Sequence, residues 1–231
     1  MDNYSLFTNT TRHQDERMAD DTKVVLYSIL LVWSLIGNVL VIAVVFSNDI
    51  KTIFNGLIVN MAVSDLFVPL LALPLKIVES SRGRYNEWLV EGPLGETLCK
   101  LCYFFIDISP AVSVFSLIII AVNRFVAIVF PSSLKRWSGK IQRVLLMFTW
   151  VFSMALLSPY FYTFRLKHIN GLTYCLSTWS PAFEDIPART LFISILIVAV
   201  FLIPFLTITV LYVMMLKKLI QHSKTVENSF N

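Results

Sequence analysis

Charge is what this sequence has least of. Asp, Glu, Lys and Arg make up 15% of its 231 residues, where a soluble domain carries about 25%. The deficit is uneven. Charge is sparse in five long windows and gathered between them, the distribution a bilayer imposes on its solute. Glycine is also scarce, at 7 residues, which excludes a collagen-like repeat. Three cysteines are too few for a disulfide-stapled mini-protein. The net charge of +4 comes without a basic stripe interleaved with aromatics, which excludes a nucleic-acid module as partner site. The histidines, His13, His168 and His222, all lie outside the apolar windows. A catalytic base or a metal cluster at membrane depth is therefore not in view, and no enzyme is expected. Residues 1–23 are polar and hold five acidic groups, so no cleavable signal peptide is expected there.

What is present is apolar: 56% of the residues. The continuous runs cover residues 24–46, 55–78, 97–130, 144–164 and 190–216. Each exceeds the roughly 20 residues that cross about 30 Å of hydrocarbon as a helix, and none alternates as a barrel strand does. The fold expected is an all-α membrane protein with five transmembrane helices. The third run is long enough to need tilt or protrusion. Lysines and arginines in the flanks tie at eight on each side, so crowding decides the orientation. Lys135, Arg136, Lys140 and Arg143 fill one short loop, and Lys217, Lys218 and Lys224 follow the last run. Two glycosylation sequons begin at Asn3 and Asn9, a pattern of exposed outer segments. Residues 1–23 are therefore expected to be an extracellular tail carrying glycans, residues 24–216 the membrane region, and residues 217–231 a cytoplasmic segment. On this topology Cys99 and Cys175 face an oxidising compartment and can pair. Cys102 reads as a buried thiol, and Asn170-Gly171 between β-prone runs reads as a hairpin turn.

Polar groups inside the runs each call for a reason, because charge there is costly. Asp65 reads either as a protonated carboxyl hydrogen-bonded within the bundle or as a carboxylate holding a small cation with the hydroxyls of Ser109 and Ser113. Asp107 reads either as lining an outward cavity or as an ion pair of Lys76 or Lys100. Asn38, after Gly37, reads as an interhelical amide at a close backbone approach. Trp150 needs an acceptor for its indole N–H. Arg124, taken alone, reads as a residue snorkelling at the interface. Pro69, Pro74, Pro110, Pro159 and Pro204 are expected to interrupt helix hydrogen bonding.

Taken in order, these residues resemble the rhodopsin-like G-protein-coupled receptors from about residue 24 to the C-terminus. The resemblance rests on Gly37-Asn38 in the first run and Asn60-Met61-Ala62-Val63-Ser64-Asp65-Leu66 in the second. It continues through Trp88, Cys99 and Asn123-Arg124-Phe125 with Pro131, then Trp150 with Pro159, and Pro204 with Tyr212. It implies a Cys99–Cys175 disulfide and a sodium ion at Asp65, Ser113 and Ser109. It also implies G-protein contact through Arg124 and Tyr212, and a structural polar network of Asn38, Asn60, Ser116 and Trp150. The partners implied are an extracellular ligand and a heterotrimeric G protein at the plasma membrane. The Cys99-Lys100-Leu101-Cys102 start of the third run, Trp88 and the hairpin-like loop look more like peptide receptors than amine receptors. Tyr103, Ile106, Asp107 and Pro110 share a helix face at i, i+3, i+4 and i+7, the expected ligand face.

Two departures from the family pattern carry consequences. Asn123 stands where the family has an aspartate, so the ion pair that restrains the arginine is missing. That removes on the order of a kcal/mol of restraint, and basal activity is expected to rise. No sixth or seventh run follows before Asn231, so the sequence looks like a truncated receptor or an incomplete gene product. Two other readings accompany this one. A non-signalling partner of full-length receptor chains shares every motif. A small transporter or channel calls for inverted repeats, and the runs show no internal similarity. The 231-residue chain is expected to insert in mammalian membranes, to shift in mobility on endoglycosidase treatment, and to support no nucleotide exchange on a G protein by itself. Robust exchange abolished by Arg124→Ala, or an unshifted band with a cytoplasmically accessible tail, contradicts this reading.

Overall fold

The computed structural model describes residues 2–47, 53–131 and 139–230. Lys135 and Arg136 lie outside the described residues, as do the side chains of Asn3, Asn9 and Lys140. In chain order the elements are α1 (Asp2–Ser47), α2 (Ile53–Asp65), a π-helical turn (Val68–Ala72), α3 (Leu73–Arg82) and α4 (Gly92–Val129). They continue with α5 (Gly139–Leu157), α6 (Tyr160–Thr163), β1 (Phe164–Ile169), β2 (Leu172–Ser177), α7 (Asp185–Leu196), a second π turn (Ile197–Leu202) and α8 (Ile203–Phe230). Among the described residues, five helical stretches are long and apolar enough to cross a membrane: Asp20–Ser47, Asn55–Arg82, Gly92–Val129, Arg143–Thr163 and Asp185–Lys224. Their outward surfaces are aliphatic and aromatic, with Trp33 79% and Phe46 76% exposed, as lipid rather than water requires.

The prolines act unequally. Pro69 sits in the first π turn and Pro204 just beyond the second, where the wider turn absorbs the missing amide. Pro159 caps α6. Pro110 departs from expectation, because α4 runs through it as unbroken α-helix. Its neighbours Ile108, Ser109, Ala111 and Val112 are all buried, so packing holds the turn despite one lost bond.

The chain folds as two compact units. The first comprises Met1–Leu40, Asp65–Ile106 and Pro159–Thr178. Its centre is Trp88 packed with Cys99 and Cys175, surrounded by Leu75, Leu98, Tyr103 and Leu166. The disulfide joins Cys99 to Cys175 with their Cα atoms 5.8 Å apart. Cys102 remains a free, half-buried thiol packed against this cluster. β1 and β2 pair antiparallel from Phe164↔Ser177 to Ile169↔Leu172. The two-residue turn between them places Asn170 and Gly171 at φ 51° and 78°, the left-handed values that Asn-Gly supplies at low cost. The segment around Trp88 adds a short third edge: Trp88 N–H donates to Thr173 O at 2.8 Å and Cys175 N–H to Asn86 O at 3.1 Å. A side chain at Gly95 would meet the Val90 carbonyl oxygen at 1.9 Å, so only glycine lets the start of α4 pass this loop.

The second unit comprises Val41–Ser64, Asp107–Ser158 and Trp179–Asn231. Ala111, Phe115 and Val200 form its apolar centre. Phe152 meets Phe115 edge-on at 5.0 Å and stacks on Phe148 at 5.5 Å.

The disulfide closes a long loop, its ends 76 positions apart in sequence. Chain-entropy models assign such closures about 4–5 kcal/mol, and removal of native bonds costs about 2–5 kcal/mol. Cys99→Ser is expected to lower unfolding stability within that range. Thermal unfolding with and without reductant, and non-reducing peptide mapping, check it; Cys102 found bridged to Cys175 overturns the assignment.

Candidate functional site

Three groups of side chains carry the polar chemistry. The deepest surrounds Asn60 on α2, which reaches α4 and α5 within the second unit. Its Nδ2 donates to Ser116 Oγ at 3.0 Å and to Thr149 Oγ1 at 3.3 Å, while Trp150 Nε1 donates to Asn60 Oδ1 at 2.7 Å. The proton directions are fixed by the hydroxyls. Ser116 donates to Val112 O and Thr149 to Leu146 O, each at 2.8 Å on its own helix. Both oxygens therefore face Asn60 as acceptors and demand its NH2, which leaves the amide oxygen to the indole. Ser116 and Thr149 have no solvent exposure. Thr149 is a member that the sequence motif does not name. Beside this group, the Oγ atoms of Ser64 and Ser113 lie 3.1 Å apart, and Ser109 is buried. Asp65 is half-buried at the last residue of α2.

Asn38 is a correction. Instead of bridging helices, its Nδ2 donates back to Ser34 O at 2.9 Å and approaches Ser34 Oγ at 3.4 Å. Gly37 has nothing within 4 Å of where a Cβ would stand, so no close helix approach uses it. The physical reason is exposure: none of the most apolar window of the first span is buried, and an amide facing lipid must satisfy itself on its own backbone.

The second group lies at the end of α4 near Cys99. Ile106 and Asp107 are half-buried and Pro110 is exposed. The Tyr103 ring is stacked on Phe164 at 4.5 Å, so its flat face is taken up by β1. Lys76 and Lys100, read as ion-pair candidates for Asp107, each meet an acid on their own helix. Lys76 binds Glu79 at 2.6 Å and Lys100 binds Glu96 at 2.9 Å. Each pair lies at i, i+3 or i, i+4 on one helix, a spacing that was there to be read. Both acids also serve the loop around them. Glu79 Oε1 accepts the Asn86 amide and Glu96 Oε2 the Leu166 amide, both at 3.1 Å. Thr173 Oγ1 donates to Glu91 at 2.8 Å and lies 2.8 Å from His168 Nδ1.

The third group is at the opposite end of α4. Asn123 is buried and Arg124 exposed, as successive helical residues about 100° apart can be. Tyr212 on α8 is 49% exposed. Among the described residues no cluster of three or more His, Cys, Asp or Glu could hold a metal ion.

The described helices thus carry a disulfide-pinned hairpin and an amide joining α2, α4 and α5, and comparison with known proteins places the chain in a family. Residues 37–230 match the family model of the 7 transmembrane receptor (rhodopsin family). The chain belongs to that family, which is one of receptors and not of enzymes. It is 28% identical to a QRFP-like peptide receptor of Branchiostoma floridae over 84% of this chain and 50% of that protein. It is 28% identical to neuropeptide FF receptor 2 of Mus musculus over 80% of this chain and 45% of that one. It is likewise 28% identical to the human cholecystokinin receptor type A over 69% and 36%. The chain thus spans half or less of the length of these relatives.

The direction of the Asn60 bonds makes a test. Trp150→Phe removes one donor and leaves a buried acceptor unmet, at a cost of about 1–3 kcal/mol. Asn60→Asp is expected to cost more, since it turns carboxylate oxygen toward two oxygens whose protons are engaged elsewhere. Thermal unfolding in lipid nanodiscs ranks them; an Asn60→Asp chain as stable as the wild type contradicts the assigned directions.

Proposed function

We propose that this chain receives an extracellular peptide at the Cys99 end of α4 and, as part of a signalling receptor, passes the signal to a heterotrimeric G protein through Arg124 and Tyr212. The observation that carries the reading is the hairpin. A polar, hydrogen-bonded β-ribbon is bound by Cys175 to the start of the helix that bears Asp107 eight residues further on. A ribbon offers a peptide both edge hydrogen bonds and side-chain contacts, and a half-buried carboxylate attracts a basic group. Relatives named as receptors for QRFP-like, neuropeptide FF and cholecystokinin peptides support a peptide over an amine. In this reading the plasma membrane holds the chain with Asn3 and Asn9 on the glycosylated outer side.

Binding of labelled neuropeptide FF and cholecystokinin peptides to membranes carrying the chain tests the reading. Asp107→Ala is expected to weaken peptides with a basic group about tenfold, or roughly 1.4 kcal/mol, and to leave acidic peptides unchanged. Unchanged affinity for every basic peptide removes Asp107 from the site.

A further inference from the structure

The segment that leads into α7 ends in an unusual surface. Phe183 is 60% and Ile186 80% exposed, flanked by exposed Pro181, Ala182 and Pro187. Scattered exposed apolar residues are ordinary, but a contiguous group is not. The surface is continuous with an exposed apolar side of the last span, since Ile186, Ile193 and Ile197 follow one another at i, i+7 and i+11 and all are exposed. The loop is also fastened against that span. Trp179 meets Phe183 at 6.2 Å and Phe192, near the start of the apolar run, at 5.4 Å.

Its backbone is satisfied from within, as a segment leaving water requires. Asp185 Oδ1 accepts the amides of Trp179 and Ser180. Phe183 N–H donates to Trp179 O at 3.2 Å and Ala188 N–H to Glu184 O at 3.1 Å. Depth follows from the helix rise. The apolar run begins at Thr190, and Ile186 stands four residues before it, about 6 Å along the axis at 1.5 Å per residue. That is the layer, about 5–10 Å thick, where amphipathic elements bury apolar side chains among headgroups. The charges of Glu184, Asp185 and Arg189 fit this layer and would not fit hydrocarbon.

We propose that residues 179–187 with the first turn of α7 form an interfacial anchor that buries Phe183 and Ile186 in the phospholipid headgroup layer. β2 ends at Ser177, so the anchor begins directly after the hairpin in sequence. The proposal stands apart from the nature of the ligand.

Nitroxide labels at Phe183→Cys, Ile186→Cys and Asn170→Cys, each in Cys102→Ser, report the environment in phosphatidylcholine nanodiscs. At 183 and 186 the ratio of oxygen to nickel-chelate collision is expected to exceed that at the hairpin tip by about threefold or more. Equal ratios place the loop in water and overturn the anchor. Low collision with both reagents means that protein, such as a second copy of the chain, covers the patch, and this overturns it too. A label-free measurement guards against a misfolded variant. Brominated phosphatidylcholine is expected to quench the wild type by a larger fraction than Trp179→Phe, and equal fractions contradict the proposal.

Discussion

Hydrocarbon offers no hydrogen bonds, and most of what distinguishes this fold follows from that. Each backbone amide in a span must find its carbonyl within the span, so the spans are helical and the β-ribbon among the described residues lies between two of them in sequence. The same rule governs side chains. Ser28 donates to Val24 O, Ser47 to Ala43 O, Thr190 to Ile186 O, Thr207 to Ile203 O and Thr209 to Phe205 O, all within 2.9 Å. In water these hydroxyls have many partners; on a lipid-facing helix the carbonyl one turn back is the one acceptor always in reach.

Against that background, a polar side chain that leaves its own helix stands out. Asn60 does so with an amide that has two protons and one oxygen to place, and α4 and α5 supply two oxygens and one N–H. The match works because Ser116 and Thr149 have already turned their protons to their own helices. A constraint local to each helix thus becomes the specificity of the contact between them. The first unit solves the same problem covalently and with acids: a disulfide, plus Glu79 and Glu96 each holding a lysine and a loop amide. These acids lie near the ends of the spans, where water still lowers the cost of charge.

The sequence makes the spans legible because runs without charge admit one structural solution in lipid. The hairpin is legible because Asn170-Gly171 has few other uses between β-prone runs. The pairings of Lys76 with Glu79 and of Lys100 with Glu96 were equally available in their helical spacing. Asn38 was not legible. Whether an amide in a span crosses to a neighbour or folds back depends on what lies opposite, and that is a property of packing. The π turns at Val68–Ala72 and Ile197–Leu202 share this character: a proline announces disruption, but Pro110 shows that surrounding packing decides whether the helix widens or holds. The helical course of residues before Lys23 carries no apolar periodicity that could announce it.

The departure at Asn123 can be placed in the same terms. The residue is 5% exposed, at the end of a span, where a carboxylate without a close cation would pay a heavy desolvation cost. Arg124, the next residue, is exposed. An aspartate in that buried place is tolerable only if the neighbouring arginine turns inward to meet it. An asparagine has no such requirement, since its amide can be buried with ordinary hydrogen bonds. The substitution therefore does more than delete one partner of an ion pair. It removes the reason for the arginine to leave the solvent-facing side of α4.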